Sequence, residues 1–305
     1  MTLMNHEKDI ACVVTNWNGG RRVLSCLRAL GSSQGVAVHV IVVDNGSTDG
    51  SLDSVREEFP AAEVIAMGKN VGLAKARNTA VAHALLAGFR YILFVDDDAL
   101  VGNTTLALLQ RAIEDHPRCG LATPRIFDAK GGKKIWYDGG GVNIFGDAIH
   151  VTPEESTPDE MANRVIAFAT GCCSMIVGEV FEKIGFLDED FFIYSEDVDF
   201  SFRARVAGYS IVHVPAASAW HEQSSSAKEN RGKWYRDYYV TRNKLLLYRK
   251  HYQGWRLGLA RVSFSIRWLL VPLTYTFLRG EWKRSVAIVR GVADYHRGRF
   301  GGTYR

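Results

Sequence analysis

Short apolar runs alternate with segments of helical spacing along the first third of the chain. The runs are rich in β-branched residues and predict strands at Ile10–Thr15, Val38–Val43, Glu63–Met67 and Tyr91–Val95. The segments between them predict helices at Gly20–Gly31, Ser51–Phe59 and Gly72–Gly88. Strands that alternate with helices indicate an α/β fold with a doubly wound, mostly parallel sheet, whose ligands bind beyond the carboxyl ends of the strands. The segments to inspect for function are therefore Thr15–Gly19, Asp44–Thr48 and Asp96–Asp98.

The pattern changes after Asp98, where the connections become longer and less regular. Further strands are predicted at Leu121–Phe127, Val165–Val177 and Ser210–Val214, with a glycine-rich stretch at Gly139–Gly141. The segment Thr152–Asp159 is rich in Pro and acids and is predicted to be an exposed loop. From Ala227 onward the chain is basic and aromatic, with helical spacing through Tyr304. We therefore expect a main domain at residues 1–226, in two halves (1–98 and 99–226), and a basic amphipathic helical extension at residues 227–305.

Composition narrows the class of protein. The chain has 305 residues, 47% of them hydrophobic, which is enough for a large core. Its net charge of +4 does not by itself indicate nucleic-acid binding. The five cysteines form no Cys-x-x-Cys pair, which is typical of reduced thiols and not of disulfides or a zinc site. With no basic region followed by an apolar run at the N-terminus, we expect a cytosolic, reducing environment.

Three acidic residues, Asp96–Asp98, follow the predicted strand Tyr91–Val95 directly. Adjacent carboxylates repel one another, and a hard divalent cation is the natural compensation. The alternative is an acidic loop or cap before a helix at Asn103–Ala112. The position at the carboxyl end of a buried strand favours the cation site. His221, in a predicted loop, is a candidate ligand only in combination with these acids, whereas His213 is predicted to be structural.

Two other segments suit a nucleotide. Asp44 ends a strand and precedes the turn Asn45–Asp49, where a carboxylate and small donors fit a base and ribose. The alternative for this turn is a plain cap of the following helix. The segment Lys69–Asn78 combines small residues with cations at a helix start, which suits a diphosphate. An ordinary helix entry with solvated cations explains the same segment equally well.

A further acidic segment follows the aromatic run Phe191–Tyr194. Glu196 and Asp197 leave that aromatic wall at the start of a predicted helix, where a general base would be positioned and partly desolvated. Asp199 and Arg203 are spaced for an ion pair on an exposed helix face. The sequence therefore predicts a general base among the acids that leave this wall and a surface role for Asp199.

Taken together and in this order, the motifs resemble the inverting GT-A glycosyltransferases of family 2, among them the rhamnosyltransferase-like members. The resemblance covers Ile10 to Ser226 and implies a GT-A fold with a nucleotide-binding half at 1–98 and an acceptor and catalytic half at 99–226. The donor-binding residues that it implies are Thr15, Asn16, Asn18, Asp44, Asn70, Gly72, Asn78 and Asp96. The remaining implied roles are catalytic base for Asp197, metal ligands for Asp98, His221 and Asp96, and acceptor side for Gly171, Cys172 and Glu196.

The resemblance also implies the reaction. A sugar passes with inversion from a nucleoside diphosphate (dTDP or UDP) to a hydroxyl of a cell-surface or lipid-linked glycan. The Trp17-Asn18-Gly19 sequence and the Glu-Asp-x-Asp-x-x-x-Arg run favour the rhamnosyltransferase-like branch, and hence dTDP-L-rhamnose as the donor. The expected cofactor is Mg²⁺ or Mn²⁺, which would stabilise the leaving diphosphate while Asp197 deprotonates the acceptor.

Two other functions fit part of the pattern. A nucleotidyl- or phosphosugar transferase shares the strand-end acids and the metal, but usually has a more basic phosphate loop. A non-catalytic nucleotide-sugar binder would bind without turnover. A nicotinamide oxidoreductase and a P-loop NTPase are disfavoured, because neither Gly-x-Gly-x-x-Gly after the first strand nor Gly-x-x-x-x-Gly-Lys-Ser/Thr is present.

The basic extension suits the surface of an anionic membrane. Its cations flank an apolar face and do not track a strand, so nucleic acid is not an expected partner. The run Trp268–Leu278, between Arg267 and Arg279, contains Pro272 and is predicted to be too short to span a bilayer. We expect a peripheral association with the inner face of the cell membrane, with a helical cap on the main domain as the alternative.

Overall fold

A mixed ten-stranded sheet organises the chain. The computed structural model describes residues 9–130, 134–152, 161–222 and 232–302. The strand order is β10-β12-β6-β11-β4-β1-β2-β3, with β5 paired to β12 and β7 to β6, while β8 and β9 form a separate hairpin. The strands are β1 (Ile10–Asn16), β2 (Val38–Asp44), β3 (Glu63–Ala66), β4 (Tyr91–Asp96), β5 (Ala99–Val101), β6 (Cys119–Asp128), β7 (Ile135–Tyr137), β8 (Gly140–Val142), β9 (Ala148–His150), β10 (Arg164–Val165), β11 (Cys173–Val177) and β12 (Ser210–His221).

Helices cover both faces of this sheet, as the alternating pattern predicts. The helices of the main domain are α1 (Arg21–Gly31), α2 (Ser51–Glu58), α3 (Leu73–Leu86), α4 (Thr105–Asp115), α5 (Gly178–Ile184) and α6 (Glu196–Val206). One buried apolar cluster packs α1 and α4 against the sheet, and a second packs α3, α5 and α6. The predicted strands and helices of the first hundred residues are confirmed to within a few residues at their ends.

The register of the parallel strands aligns the functional loops. β1 pairs in parallel with both β2 and β4, so that Thr15 lies between Val43 and Asp96 and Asn16 lies opposite Asp44. The carboxyl ends of β1, β2 and β4 therefore meet at one edge of the sheet. This edge carries all three segments that the sequence marks for inspection.

The second half corrects two predicted strands. The run Val165–Val177 is not one strand: β10 ends at Val165, β11 begins at Cys173, and residues 166–172 cross between them. Because β11 runs antiparallel between β4 and β6, these residues pass directly over the end of β4. The other predicted strand, Ser210–Val214, is longer and continues to His221, which ends β12 instead of lying in a loop.

The C-terminal helices share the core of the sheet. They are α7 (Gly232–His251), α8 (Gly254–Phe264), α9 (Val271–Leu278) and α10 (Trp282–His296). Leu245, Leu246 and Tyr248 of α7 belong to the same buried cluster as the residues of β1. The predicted extension is therefore helical and integral to the packing of the described chain. Three parts of the prediction lie outside the described residues: the loop Thr152–Asp159 from residue 153 on, the boundary at residues 226 and 227, and the tail beyond residue 302.

A single long helix replaces the short apolar run that was predicted near Trp268. α8 and α9 are joined through a π-helical segment, Ser265–Leu270, into one helix, Gly254–Leu278. By length and composition alone, this 25-residue helix is the one within the described ranges that is able to cross a membrane. The run Trp268–Leu278 is therefore the C-terminal part of a longer helix that begins at Gly254. Pro272 does not end the helix, because it follows the widened π turn directly.

Candidate active site at the carboxyl edge of the sheet

The loops at the carboxyl edge surround a cavity of about 610 Å³. Both halves of the main domain and the C-terminal helices contribute to its wall. The predicted site residues that line it are Thr15, Asn70, Gly72, Asp96, Asp98, Gly171, Cys172, Glu196, Asp197 and His221. Those that do not line it are Asn16, Asn18, Asp44 and Asn78.

The strand-end acids meet His221 on one side of the cavity. The Nε2 atom of His221 lies 3.1 Å from Oδ1 of Asp98 and 3.9 Å from Oδ2 of Asp96. The pairing of β12 with β5, in which His221 faces Ala99, brings together these distant parts of the sequence. Burial lowers the pKa of His221, but the hydrogen bond to Asp98 and the neighbouring carboxylates outweigh burial and raise the pKa above its ordinary value.

This cluster fits a hard divalent cation. Ligand atoms of Asp96, Cys172 and His221 lie within 4.8 Å of one another, and Nδ1 of His221 is buried with no hydrogen-bond partner among the described residues. Burial raises the pKa of the Cys172 thiol well above its usual range, and sulfur is a softer ligand than a hard divalent cation prefers. Two carboxylates and one imidazole remain, which are oxygen and nitrogen donors suited to Mn²⁺ or Mg²⁺.

Asp97, between the two acids of this cluster, supports the neighbouring loop. Its carboxylate accepts a hydrogen bond from the backbone N–H of Trp17 at 3.5 Å. A Cβ atom on Gly19 would come within 2.6 Å of the same carboxylate, so the glycine permits the loop to approach this closely. Burial raises the pKa of Asp97 to about 8.

Arg77 connects the acid cluster to the segment that carries the acceptor-side residues. The sequence places this cation near a diphosphate, but the side chain is 1% exposed, and Nη2 donates to Oδ1 of Asp96 at 2.7 Å and to the carbonyl of Gly171 at 2.8 Å. A Cβ atom on Gly171 would lie 2.5 Å from Nη1 of Arg77. Arg77 is therefore an internal counter-charge for Asp96, and only glycine leaves room for it at position 171.

Asp197 is held in place by the same crossing segment. Its Oδ2 accepts a hydrogen bond from the backbone N–H of Gly171 at 2.8 Å, and its Oδ1 accepts one from Val198 N–H at 2.8 Å. The adjacent Glu196 is 3% exposed, and its Oε2 has no partner in the described chain. Burial, followed by the charge of Asp197, raises the pKa of Glu196 to about 8. Burial and the neighbouring acid therefore favour the protonated form of Glu196 in the cavity wall.

Three predicted donor residues brace the nucleotide loops from behind. Nδ2 of Asn16 donates to Oδ1 of Asp44 at 3.0 Å, and Asp44 in turn accepts from the backbone N–H of Ser47 at 3.1 Å. Oδ1 of Asn18 accepts from Thr48 N–H at 2.8 Å. These contacts tie the loop after β1 to the loop after β2. In place of the bracing residues, Trp17 and Asn45 of the same loops line the cavity.

The start of α3 divides into two parts. Gly72 has a φ of 96°, and a Cβ atom there would come within 2.5 Å of the Phe192 ring. Asn70 lies beside it on the cavity and accepts from Gly72 N–H at 3.1 Å. Asn78, by contrast, was wrongly placed with the donor: it exchanges hydrogen bonds with the backbone of Leu187, at 2.8 and 3.0 Å, outside the cavity. Its position about one and a half turns into α3 carries it away from the phosphate-facing end of the helix.

The C-terminal helix α7 holds the loop before Asp197 in place. The sequence analysis did not predict this contact. Nδ2 of Asn243 donates to the carbonyls of Phe191, Ile193 and Tyr194 at 2.7 to 2.8 Å. Arg242 is fully buried and donates to the same loop, at the carbonyls of Asp190 and Phe191. The loop needs these partners because three of its residues, Phe192, Tyr194 and Ser195, have positive φ. An Arg-Asn pair inside the apolar run of α7 was the available signal.

Asp199 is not on an exposed face, which corrects the surface role predicted for it. The side chain is 0% exposed and contacts Nε of Arg203 at 2.8 Å, Nε2 of His251 at 2.8 Å and Nζ of Lys250 at 3.0 Å. Burial raises the pKa of Asp199, but the hydrogen bond from His251 and the charges of Arg203 and Lys250 outweigh burial and lower the pKa to about 2. The prediction failed because α7 ends against α6 and covers this face.

His213 has the structural role that was predicted. Its Nε2 lies 2.8 Å from Oδ1 of Asp138. The carboxylate of Asp138 also pairs with Arg125 and Arg164. This buried cluster ties β12 to β6 and to the β7–β8 connection. It lies outside the cavity wall.

Aromatic rings form the wall on the side away from the nucleotide loops. The ring of Trp136 lies 4.7 Å from those of His150 and His221, measured between centroids. Trp268, from the π-helical segment, lines the same cavity, and Nζ of Lys244 lies 4.0 Å from its ring centroid. Flat apolar rings beside a few polar groups suit a sugar ring, so this side of the cavity has the chemistry of an acceptor site.

The sheet has the GT-A fold of solved glycosyltransferases. Among solved structures, a mannosyltransferase of Pyrobaculum calidifontis in complex with GDP-Man and Mn²⁺ aligns with a TM-score of 0.57 at 17% identity, over 95% of this chain and 88% of that chain. GalNAc-T7 with UDP, GalNAc and Mn²⁺ also aligns with a TM-score of 0.57, at 16% identity, over 87% of this chain and 59% of that longer one. At such identities the likeness shows the fold alone.

The sequence then gives the family. The profile of glycosyl transferase family 2 matches residues 11–185, more than half of the chain, and the chain belongs to this family. An N-acetylglucosaminyl-diphospho-decaprenol L-rhamnosyltransferase of Mycobacterium tuberculosis is 25% identical over 295 residues, covering 90% of this chain and 94% of its own length. A dTDP-rhamnosyl transferase, RfbF, of Shigella flexneri is 27% identical over 268 residues, covering 85% of this chain and 86% of its own. The resemblance to the rhamnosyltransferase-like branch is thereby confirmed.

Proposed function

We propose that the protein transfers L-rhamnose from dTDP-L-rhamnose, with inversion, to a hydroxyl of a cell-surface or lipid-linked glycan. Membership of family 2 supports glycosyl transfer, and the two relatives named as rhamnosyltransferases support the sugar. One of those names contains a diphospho-decaprenol acceptor, which supports a lipid-linked substrate. The free, buried state of all five cysteines suits the cytosolic side of a membrane.

The observation that carries the proposal is the arrangement around Arg77. On one side of this buried cation lie Asp96, Asp98 and His221, and on the other lies Asp197, which is reached through Gly171. Inverting transfer needs these two functions within one cavity: charge stabilisation for a leaving diphosphate and a base for the attacking hydroxyl. The transfer needs no covalent nucleophile, because a single displacement inverts the anomeric carbon.

On the donor side, Asp96, Asp98 and His221 would hold Mg²⁺ or Mn²⁺, which would stabilise the negative charge of the leaving nucleoside diphosphate. Thr15, Trp17, Asn45, Asn70 and Gly72 line the cavity where the nucleotide would lie. Asn16, Asn18 and Asp44 would act by fixing the two loops.

On the acceptor side, Asp197 takes the proton of the acceptor hydroxyl. The acceptor oxygen forms its bond to the anomeric carbon as the bond from that carbon to the diphosphate oxygen breaks, so the proton ends on Asp197 and the electron pair on the diphosphate. The N–H group of Gly171 keeps one carboxylate oxygen in place for this step. Cys172 and the protonated Glu196 shape the adjoining wall.

A donor panel tests the proposal. The purified protein is incubated with N-acetylglucosaminyl-diphospho-decaprenol as the acceptor and with dTDP-L-rhamnose, UDP-glucose, UDP-N-acetylglucosamine or GDP-mannose as the donor. Mg²⁺, Mn²⁺ or excess chelator is added, and released nucleoside diphosphate is measured. We expect dTDP release from dTDP-L-rhamnose that depends on the cation, and an inverted anomeric configuration in the product by NMR. Turnover of another donor only would refute the sugar assignment. Release of sugar 1-phosphate or of nucleoside monophosphate would indicate a nucleotidyl- or phosphosugar transferase, and binding without turnover would indicate a non-catalytic binder.

A further inference from the structure

The C-terminal helices carry a concentrated apolar surface. Of the 22 large hydrophobic side chains that are exposed in the described residues, 12 lie between Trp255 and Val289. On the helix Gly254–Leu278 six of them follow one another at intervals of three, four or seven residues, namely Trp255, Leu259, Val262, Ile266, Leu270 and Phe277. At about 100° per residue these intervals place the side chains along one side of the helix.

The next helix continues the same surface. The exposed residues Trp282, Val286 and Val289 of α10 are spaced by four and three residues, and so they share a face. The ring centroids of Phe277 and Trp282 lie 5.0 Å apart, which joins the exposed side chains of the two helices. We call these nine residues the apolar stripe.

Positive charge surrounds the apolar stripe. Between Gly254 and Arg290 the chain has seven basic residues and one acidic residue, Glu281. Arg256 and Arg261 are exposed and lie on opposite sides of the first helix relative to Trp255, at about 100° and 120° from it. Long cationic side chains at the edges of an apolar face can extend to anionic headgroups while their stems cover apolar surface.

Over its first half, Gly254–Phe264, the opposite side of the first helix packs on the protein. Ala260 and Phe264 are 1% and 3% exposed and belong to the main core. Nη1 of Arg267, near the middle of the helix, donates to Oδ2 of the buried Asp147 at 2.9 Å. A helix that crosses a bilayer cannot keep one side packed on a globular domain in water, although about 38 Å of helix is long enough to do so.

We propose that the apolar stripe and its flanking cations form a docking surface for an anionic lipid bilayer, on which the helix Gly254–Leu278 lies parallel to the membrane and does not cross it. Apolar burial and attraction to anionic lipids then add. A second copy of the chain is a poorer fit, because the exposed cations Arg256, Arg261, Arg279 and Lys283 of the two copies would face one another.

Docking in this way positions the cavity. Trp268, on the inner side of the same helix, lines the cavity, so the cavity wall lies about one helix diameter, ~10 Å, from the membrane. A lipid-linked acceptor reaches the aromatic side of the cavity from the bilayer without leaving it. This last step rests on the proposed function, whereas the docking surface does not.

Vesicle flotation without substrates tests the docking surface. The full chain is mixed with vesicles of phosphatidylcholine alone, or with about 30% phosphatidylglycerol, and the floated fraction is measured. The stripe variant is Trp255→Ser/Ile266→Ser/Trp282→Ser, and the matched control is Leu86→Ser/Val206→Ser, at side chains that are 90% and 87% exposed elsewhere on the molecule. We expect the stripe variant to lose binding by about tenfold or more and the control to bind like the wild type.

Charge and topology are tested separately. The variant Arg256→Glu/Arg261→Glu/Lys283→Glu should lose the preference for anionic vesicles, and alkaline carbonate should release the wild-type protein from membranes. Unchanged flotation of the stripe variant, or resistance to carbonate, would overturn the proposal. The proposal would also be overturned if the wild-type protein were a dimer, and the stripe mutations dissociated that dimer without changing flotation. Thermal unfolding confirms the fold of each variant, and activity on a water-soluble acceptor should be unaffected, so that a failure of docking is distinguished from a failure of the proposed function.

Discussion

Replacement of Asp199 by Asn tests the buried charge cluster between α6 and α7. The pKa of Asp199 falls from its ordinary value of 3.8 to about 2, and one pKa unit corresponds to about 1.4 kcal/mol. Loss of the negative charge therefore costs about 2.5 kcal/mol of unfolding free energy at neutral pH. The cost arises because the carboxylate of Asp199 is 0% exposed, and Asn there removes the negative charge that Arg203, Lys250 and His251 contact.

The assay is equilibrium unfolding in denaturant, supported by thermal melts. We expect Asp199→Asn to lower the melting temperature by about 5 °C. The matched control is Asp115→Asn, whose carboxylate pairs with Arg111 at the same i,i+4 spacing but is 68% exposed, and which should cost less than about 0.5 kcal/mol. Because the pKa of Asp199 is depressed in the folded state, its stabilisation is present above pH 3.8 and is lost as the pH falls towards 2. Equal unfolding midpoints for wild type and Asp199→Asn at pH 7 would refute the reasoning.

Three further predictions concern the site. Asn243→Ala removes the donor that holds three carbonyls of the loop before Asp197, so kcat should fall by about 10- to 100-fold while nucleotide affinity changes less than about twofold; equal losses in both would contradict a positioning role. Gly72→Ala places a Cβ 2.5 Å from Phe192 at a φ of 96°, and we expect a loss of about 2 kcal/mol or more in denaturant unfolding, so wild-type stability would count against the observed packing. Asp98→Ala should abolish cation-dependent nucleotide binding in calorimetry, and this prediction fails if excess chelator leaves wild-type binding and turnover unchanged.

The sequence was enough to predict the fold and the site where the local hydrophobic pattern itself places the site residues. The first half repeats strand, polar turn and helix, so the aligned ends of β1, β2 and β4 follow from hydrophobic pattern and parallel topology alone. The acids after β4 were recognisable because three adjacent carboxylates at the carboxyl end of a buried strand favour a cation site over a loop or a helix cap. The contact of Asp98 with His221, more than 120 residues away, required the ordered motifs of the family in addition.

Prediction failed where a distant element covers a locally ordinary residue. The spacing of Asp199 and Arg203 is typical of a surface ion pair. No residue near them in the sequence indicates that His251 contacts Asp199. Asn78 lies in a segment of small residues and cations that suits a phosphate, but its position on α3 turns the side chain toward the backbone of Leu187. The length of the helix Gly254–Leu278 was not predicted, because Arg267 and Pro272 were taken to limit the apolar run. In the structure Nη1 of Arg267 donates to Oδ2 of Asp147, and the helix continues through Pro272.

The most direct test of the central claim is the effect of Asp197→Asn on transfer and on binding, measured with the same preparation. Asn keeps the size of the side chain but cannot take the proton of the acceptor hydroxyl. We predict that transfer from the accepted donor falls by about two to four orders of magnitude, while cation-dependent nucleotide affinity and the melting temperature stay close to the wild type. Transfer at near the wild-type rate by the folded variant would contradict the assignment of Asp197 as the base.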